Sequence, residues 1–339
     1  MTARNFEKRR IGRTDLEVTT LGLGGASLAG IFSSVPAEQA RATVGHALDA
    51  GINYVDTAPQ YGLGRSEHLV GDALRYRGED FILSSKVGRL LKPVDAATQD
   101  KGNWVDPLPF DQVYDYSYDG VMRSFEDSQQ RLGMSRIDIL YVHDIGVATH
   151  GVEGNKPLWA QLAGGGYKAL RELRDSGAIK AIGLGVNEWQ VLMDAFALGD
   201  WDVFLLAGRY TLLEQTSLDP FLNTCVNRGA SVVIGGPFNS GILVGGDKFN
   251  YAKAPEDIVT KVKAITAVCQ NFDVPLPAAA LQFPLTHPAV CNVLPGPRSP
   301  QELDGILDWW DVKVPDELWT ALAAKGLLAP GTPIPGGTA

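Results

Sequence analysis

Eight short apolar runs rich in β-branched residues recur along the chain, each separated from the next by a longer stretch, and this alternation narrows the fold more than any other feature. The runs are Thr20 to Gly24, Asn53 to Thr57, Phe81 to Val87, Ile137 to His143, Ala181 to Val186, Val203 to Ala207, Ser231 to Gly235 and Asn292 to Leu294. Strands that are apolar throughout belong to a parallel sheet covered on both faces, and their alternation with helices marks βαβ units. Eight such units predict an α/β fold closed into a (β/α)8 TIM barrel. A barrel of this kind takes about 250 residues, so a chain of 339 leaves an excess for loops and a tail. One barrel domain spanning 1–339 is the expectation.

The helices carry their own punctuation. Pro36 opens a segment in which Ala40, Val44, Ala47 and Leu48 share a face, and Gly51 closes it. Val121, Phe125 and Leu132 line a second helix ending at Gly133, and Leu170 and Leu173 line another ending at Gly177. Before the first strand, Lys8 to Val18 reads as a hairpin turning at Gly12 to Asp15, placed to plug the barrel. Two segments fall outside the repeat. Arg89 to Ser117, rich in Pro, Asp, Gly and Tyr, reads as a long loop after the third strand, and Val312 to Ala339 as a Pro/Gly-rich tail. Long connections at a barrel mouth usually shape a pocket, and both are expected to do so.

Composition removes several classes of function. Cys225, Cys269 and Cys291 are widely spaced and odd in number, which argues against a disulfide framework or a CxxC metal knuckle and for reduced core residues. With 30 basic against 39 acidic residues and no Lys/Arg cluster, nucleic acid is not an expected partner. No apolar run approaches the ~20 residues that span a bilayer, so no membrane association is expected. Met1 to Arg10 is polar and charged where a secretory signal carries an apolar stretch, which points to a cytoplasmic location.

In α/β barrels the chemistry sits at the C-terminal ends of the strands. Asp56 ends the second run, Tyr61 follows on its loop, Lys86 ends the third run and His143 the fourth. A lysine and a histidine terminating apolar strands are expensive to bury unpaired, and an Asp and a Tyr nearby supply partners. Any one of the four alone is more often structural, Asp56 as a loop cap or Tyr61 as a rim aromatic. Four at one barrel mouth favour function. His143 beside Asp144 lacks the three or four converging ligands a metal needs, and His46, His68, His150 and His287 do not converge, so no metal is expected.

These four strand ends resemble the Asp, Tyr, Lys and His tetrad of the aldo-keto reductases, in the same order and on the same strands. Arg10-Ile11-Gly12-Arg13-Thr14, Leu21-Gly22-Leu23-Gly24-Gly25, Tyr61-Gly62 with Ser66-Glu67, and Pro295-Gly296-Pro297-Arg298-Ser299 are also similar to that family, over about Arg9 to Leu307. Ile182 to Asn187 and Leu205 to Tyr210 look most like its aldose 1-dehydrogenases (L-fucose, D-threo-aldose) and pyridoxal 4-dehydrogenase. The resemblance implies an NAD(P)-dependent oxidoreductase that passes hydride between nicotinamide and a carbonyl or hemiacetal carbon. Oxidation of a small aldose to its lactone is the first expectation; pyridoxal oxidation or general aldehyde reduction is the alternative.

The tetrad's chemistry follows from its residue types. Hydride reaching a carbonyl leaves charge on oxygen, and an acid must supply a proton as that charge grows. Tyr61 is the implied acid, and the base in oxidation. A free phenol titrates near about 10, and a neighbouring ammonium, Lys86, is expected to lower that value. Asp56 would hold Lys86, and His143 would hydrogen-bond the substrate oxygen. In the loop after the third strand, Asp95, Asn103, Asp106 and Asp115 would accept sugar hydroxyls and Trp104 would stack on a sugar face.

For the cofactor, no GxGxxG opens the first βα unit. Barrels often build a phosphate site from the loops after strands seven and eight and a helix N-terminus. Gly235, Pro237, Phe238, Ser240 and Gly241 occupy the first loop, and Gly296, Arg298, Ser299 and Glu302 the second. Where many family members hold the nicotinamide amide with Ser-Asn and Gln, this chain has Gly185, Val186 and Leu205, with Asn187 one place along. The ring-stacking aromatic aligns with Gly235, leaving Phe238, Arg209 and Tyr210 as candidates to cover the ring. Gly296 and Glu302 stand where NADP-dependent members place Lys and Arg, so NAD is expected over NADP. Two rivals stay open: Lys86 as a Schiff-base former in a barrel aldolase, and a non-catalytic nicotinamide-sensing subunit.

Overall fold

The computed structural model describes residues 3–78 and 80–339, so Met1 and Thr2 of the polar N-terminal segment lie outside it. Eight parallel strands run in chain order around a barrel: β1 (Leu23–Gly24), β2 (Tyr54–Asp56), β3 (Ile82–Val87), β4 (Ile139–His143), β5 (Ala181–Val186), β6 (Val203–Ala207), β7 (Ser231–Gly235) and β8 (Val290–Leu294). The ring closes where the Gly22 amide donates to Val293 O at 2.9 Å and the Val293 amide to Thr20 O at 2.8 Å. Every predicted run forms a barrel strand, and β5, β6 and β7 have the expected bounds.

A strand's two-residue period sends alternate side chains inward. The outward set packs on the helices, while Tyr54, Ile82, Ile139, Tyr141, Val203 and Val233 fill the interior. On β2, β3 and β4 the inward face therefore reads Tyr54 and Asp56, then Ile82, Ser84 and Lys86, then Ile139, Tyr141 and His143, turning from apolar through hydroxyl to charged toward the mouth. Registry aligns these rows, with Asp56 beside Ser84 and Lys86 beside Tyr141.

The base is plugged as expected. Lys8–Arg10 pairs antiparallel with Glu17–Thr19, and Ile11 and Val18 sink into the interior cluster. Gly12 turns the chain with φ +49°, and an added Cβ would stand 2.3 Å from Asp202 O, so the plug seats only with glycine there. The predicted helices form at Ala37–Asp49, Tyr118–Leu132 and Tyr167–Asp175, with Ala40, Val44, Ala47, Val121, Phe125, Leu132, Leu170 and Leu173 buried.

Two segments differ from their reading. Arg89 to Ser117 is not a plain loop: Arg89–Pro93 pairs antiparallel with Phe110–Tyr114, because a ladder satisfies backbone groups that a loop of this length would leave to water. The tail does not shape the mouth. It folds into a helix, Asp316–Ala324, whose Leu318, Trp319 and Leu322 are buried, and it packs on the helix Glu256–Gln270. None of its residues lines the cavity described next.

Candidate active site

A cavity of about 610 Å³ opens at the C-terminal end of the strands. Tyr61, Lys86 and His143 line it together with Gly185, Asn187 and Leu205 from the ends of β5 and β6, and with Trp104, Gln112 and Tyr114 from the hairpin after β3. At its inner end Lys86 Nζ donates to Asp56 Oδ2 at 2.6 Å and to Thr57 O at 3.0 Å, all fully buried. Gly185 leaves room for that side chain, since a Cβ there would sit 3.2 Å from Lys86 Cε. Lys86 Nζ lies 4.6 Å from the centroid of the Tyr61 ring, and the Tyr61 and His143 rings meet edge to face at 5.8 Å. The four strand-end residues thus converge.

Burial sets the electrostatics. It pushes Asp56 above and Lys86 below their usual ranges, and the attraction between them opposes both shifts. His143 is held well below the ordinary imidazole value by burial, then by the cations of Arg89 and Lys86, so the ring is neutral at pH 7. The carboxylate of Asp144 stands 3.5 Å from His143 Nε2, and Nδ1 on the other side of the ring has no hydrogen-bond partner among the described residues. Burial also pushes the Tyr61 phenol well above 10, with Asp56 and Asp144 adding to the shift. This reverses the lowering expected from Lys86: desolvation and the carboxylates outweigh the opposing cation, Arg89.

A pair that the sequence reading did not single out stands beside His143. Arg89, 2% exposed, forms an ion pair with Asp144, donates to Gln112 Oε1 at 2.6 Å and reaches Tyr114 OH at 3.3 Å. Asp144 holds a left-handed backbone, φ 45°, unusual outside glycine. The signal available was an arginine three places beyond a strand-end lysine, but its partner lies 55 residues away.

Of the residues expected to meet sugar, Asn103 and Trp104 line the cavity, and Trp104 lies 6.0 Å from the Tyr61 ring. Asp95, Asp106 and Asp115 do not line it: Asp95 turns to the Ala97 amide, Asp106 bonds Ser34, and Asp115 accepts from the Ser117 amide. Among the candidates to cover a nicotinamide, Tyr210 is buried against Phe283 and His287, Phe238 packs on Trp309, and Arg209 is tied to Glu214 and the Asn187 carbonyl. None lines the cavity, whereas Tyr251, which the sequence reading passed over, does.

The profile of the Aldo/keto reductase family matches residues 20–326. The chain belongs to the aldo/keto reductase family. It is 48% identical over 337 residues to "Pyridoxal 4-dehydrogenase" of Microbacterium luteolum, covering 95% of this chain and 98% of that one. It is 36% identical over 324 residues to "D-threo-aldose 1-dehydrogenase" of a Pseudomonas species, covering 92% and 95%. An aldo-keto reductase from Bacillus halodurans shares the fold with TM-score 0.73 at 22% identity, covering 96% of this chain and 97% of that one. As an aldo/keto reductase the chain is an oxidoreductase of nicotinamide dinucleotides, which sets aside the aldolase and the non-catalytic readings.

The loops after β7 and β8 of this aldo/keto reductase fit such a dinucleotide. Asn239, Ser240 and Gly241 take successive positive φ angles, and a Cβ on Gly241 would meet no atom within 4 Å, which leaves the backbone at Gly241 open to approach. Ser299 caps the helix Pro300–Trp310, accepting from the Glu302 amide at 3.1 Å, and presents that helix's N-terminus.

Proposed function

We propose that the chain oxidises a small cyclic hemiacetal to its lactone, with pyridoxal the better substrate and a small aldose the second. The observation that carries this reading is the convergence of Asp56, Lys86, Tyr61 and His143 at the inner end of one cavity. In water the aldehyde of pyridoxal closes on its neighbouring hydroxymethyl group, and an aldose closes likewise. Both present a carbon bearing hydrogen, hydroxyl and ring oxygen. The extent of identity to the pyridoxal enzyme and the aromatic lining of Trp104, Tyr61 and Tyr251 favour the flat pyridine ring; Asn103 and Gln112 support the sugar.

A bound nicotinamide supplies the two-electron acceptor. The neutral ring of His143, edge to face with Tyr61, orients the reacting hydroxyl, and Tyr61, as phenolate, takes its proton. Lys86, held by Asp56, stabilises that phenolate. Because burial keeps the Tyr61 phenol protonated at neutral pH, oxidation should accelerate as pH rises toward 10, while aldehyde reduction, which needs the phenol, should stay flat through neutrality. Initial rates in both directions from pH 6 to 10 check this. The substrate assignment is tested by following NAD reduction with pyridoxal, L-fucose and simple aldehydes. Pyridoxal should lead in kcat/KM by ~10-fold or more, which is about 1.4 kcal/mol of transition-state discrimination; turnover of simple aldehydes alone would overturn the hemiacetal reading.

The same reading includes NAD in preference to NADP. Arg298, the cation of the segment after β8, is already engaged: its amide and guanidinium bond Glu302 at 2.8 and 2.5 Å, and Nη1 reaches Ser33 Oγ at 3.1 Å. A carboxylate there accepts from a ribose hydroxyl and repels a phosphate, as in other dinucleotide folds. Catalytic efficiency should be ~10-fold or more higher with NAD, the ratio expected for about 1.4 kcal/mol. Glu302→Arg should narrow or reverse the ratio; equal use of NADP by the parent would refute the role given to Glu302.

A further inference from the structure

From the Asp56 carboxylate, three buried hydroxyls form a hydrogen-bonded file inside the barrel. Tyr141 OH lies 3.1 Å from Tyr54 OH, Tyr54 OH lies 2.9 Å from Ser84 Oγ, and Ser84 Oγ donates to Asp56 Oδ1 at 2.7 Å. All four residues are fully buried. Barrel interiors are ordinarily filled by Val, Ile and Leu, so hydroxyls stacked on the inward face of three adjacent strands call for an explanation.

The direction of each bond follows from counting protons. An ionised carboxylate only accepts, and Asp56 Oδ2 is taken by Lys86. Ser84 therefore commits its single proton to Oδ1. Tyr54 must then donate to Ser84, and Tyr141 to Tyr54, because neither acceptor has a proton left to give. All three hydroxyl protons are thus ordered along the file toward Asp56, and in a low-dielectric interior such bonds polarise one another in the same sense.

We propose that Ser84, Tyr54 and Tyr141 are positioning residues that act through Asp56, a one-way file of hydrogen bonds that keeps its carboxylate ionised and aimed at Lys86. This inference rests on the tetrad reading given above, in which Lys86 serves Tyr61. Burial drives Asp56 toward its neutral form, and Lys86 first, then the hydrogen bond from Ser84, opposes that drive. The other titratable or charged groups facing the pair are Tyr61 on the loop after β2, His143, Asp144 and Arg89 at the mouth, Glu67 behind β3 and Cys291 on β8. Among the described residues, the file is the sole part of this surround that bonds the Asp56 carboxylate without carrying charge.

Ser84→Ala, Tyr54→Phe and Tyr141→Phe in the full chain separate positioning from filling. Turnover should fall about 10-fold for Ser84→Ala, as expected for losing a hydrogen bond to a charged group, less for Tyr54→Phe and least for Tyr141→Phe. KM should stay within about twofold. Loss of a donor to the carboxylate raises the Asp56 pKa, so the acid limb of the kcat profile for aldehyde reduction should move to higher pH in the same order, and Ser84→Thr should restore it. A carbon-13 NMR titration of labelled aspartate gives the Asp56 pKa without turnover and should show it raised in Ser84→Ala. Profiles that superimpose on the parent, an unshifted carboxyl titration, or losses not graded along the line would overturn the file. Full activity in Tyr61→Phe would instead overturn the tetrad reading beneath it, while the carboxyl titration would still decide the file.

Discussion

Tyr61→Phe is expected to cut turnover by ~100-fold or more, the effect of deleting a general acid or base, with coenzyme affinity and thermal stability unchanged. The change removes one oxygen and leaves the ring, so the edge-to-face contact with His143 and the cation over its face persist. The rise of the oxidation rate with pH should vanish with the phenol. Single-turnover rates and coenzyme titration in the variant check both parts, and substantial activity that keeps the parent's pH profile would show that the proton moves elsewhere.

Asp56→Ala should be the most destabilising single change at the site. Lys86 would remain buried with only the Thr57 carbonyl as partner, and removing one member of a buried pair typically costs about 3–5 kcal/mol. The deficit should depend on pH. Burial already holds the Lys86 pKa below the 10.5 of the free amine, and losing Asp56 removes the largest influence opposing that shift. Between the depressed value and 10.5 the unfolded chain binds more protons than the folded one, so the variant should gain stability as pH rises through this window. Urea midpoints at pH 7 and pH 10 measure this. Adding Lys86→Met to Asp56→Ala should recover stability at pH 7; a double variant no better than the single would mean that the unpaired ammonium is not the cause.

The barrel and its four strand ends were legible because period-two strands declare their inward face, and a charge at the end of an apolar run has few places to go. Ser84 and Tyr54 stood in the same runs, yet nothing in the local pattern tells a hydroxyl aimed at a carboxylate from one that fills space. The hairpin after β3 was hidden because Arg89–Pro93 and Phe110–Tyr114 are short, mix apolar with charged residues and are separated by a long tip. The Arg89–Asp144 pair depends on that hairpin and was hidden with it. The reversed shift of Tyr61 has the same root: which of several nearby charges wins depends on depth of burial, which sequence does not report.

That hairpin divides the molecule's labour. Its ladder closes on itself, and Trp104, Gln112 and Tyr114 line the cavity from it, while the barrel strands and the loop after β2 hold the proposed tetrad. Substrate range can therefore drift by exchange of the tip, residues 94–109, without disturbing the chemistry. The first rung cannot drift with it, since Arg89 moors the hairpin to Asp144 and Asp144 faces His143. A chimera that imports a foreign tip but keeps Arg89, Gln112 and Tyr114 inherits new selectivity on the old reaction centre; one that loses the mooring arginine leaves a carboxylate beside the histidine without its counterion.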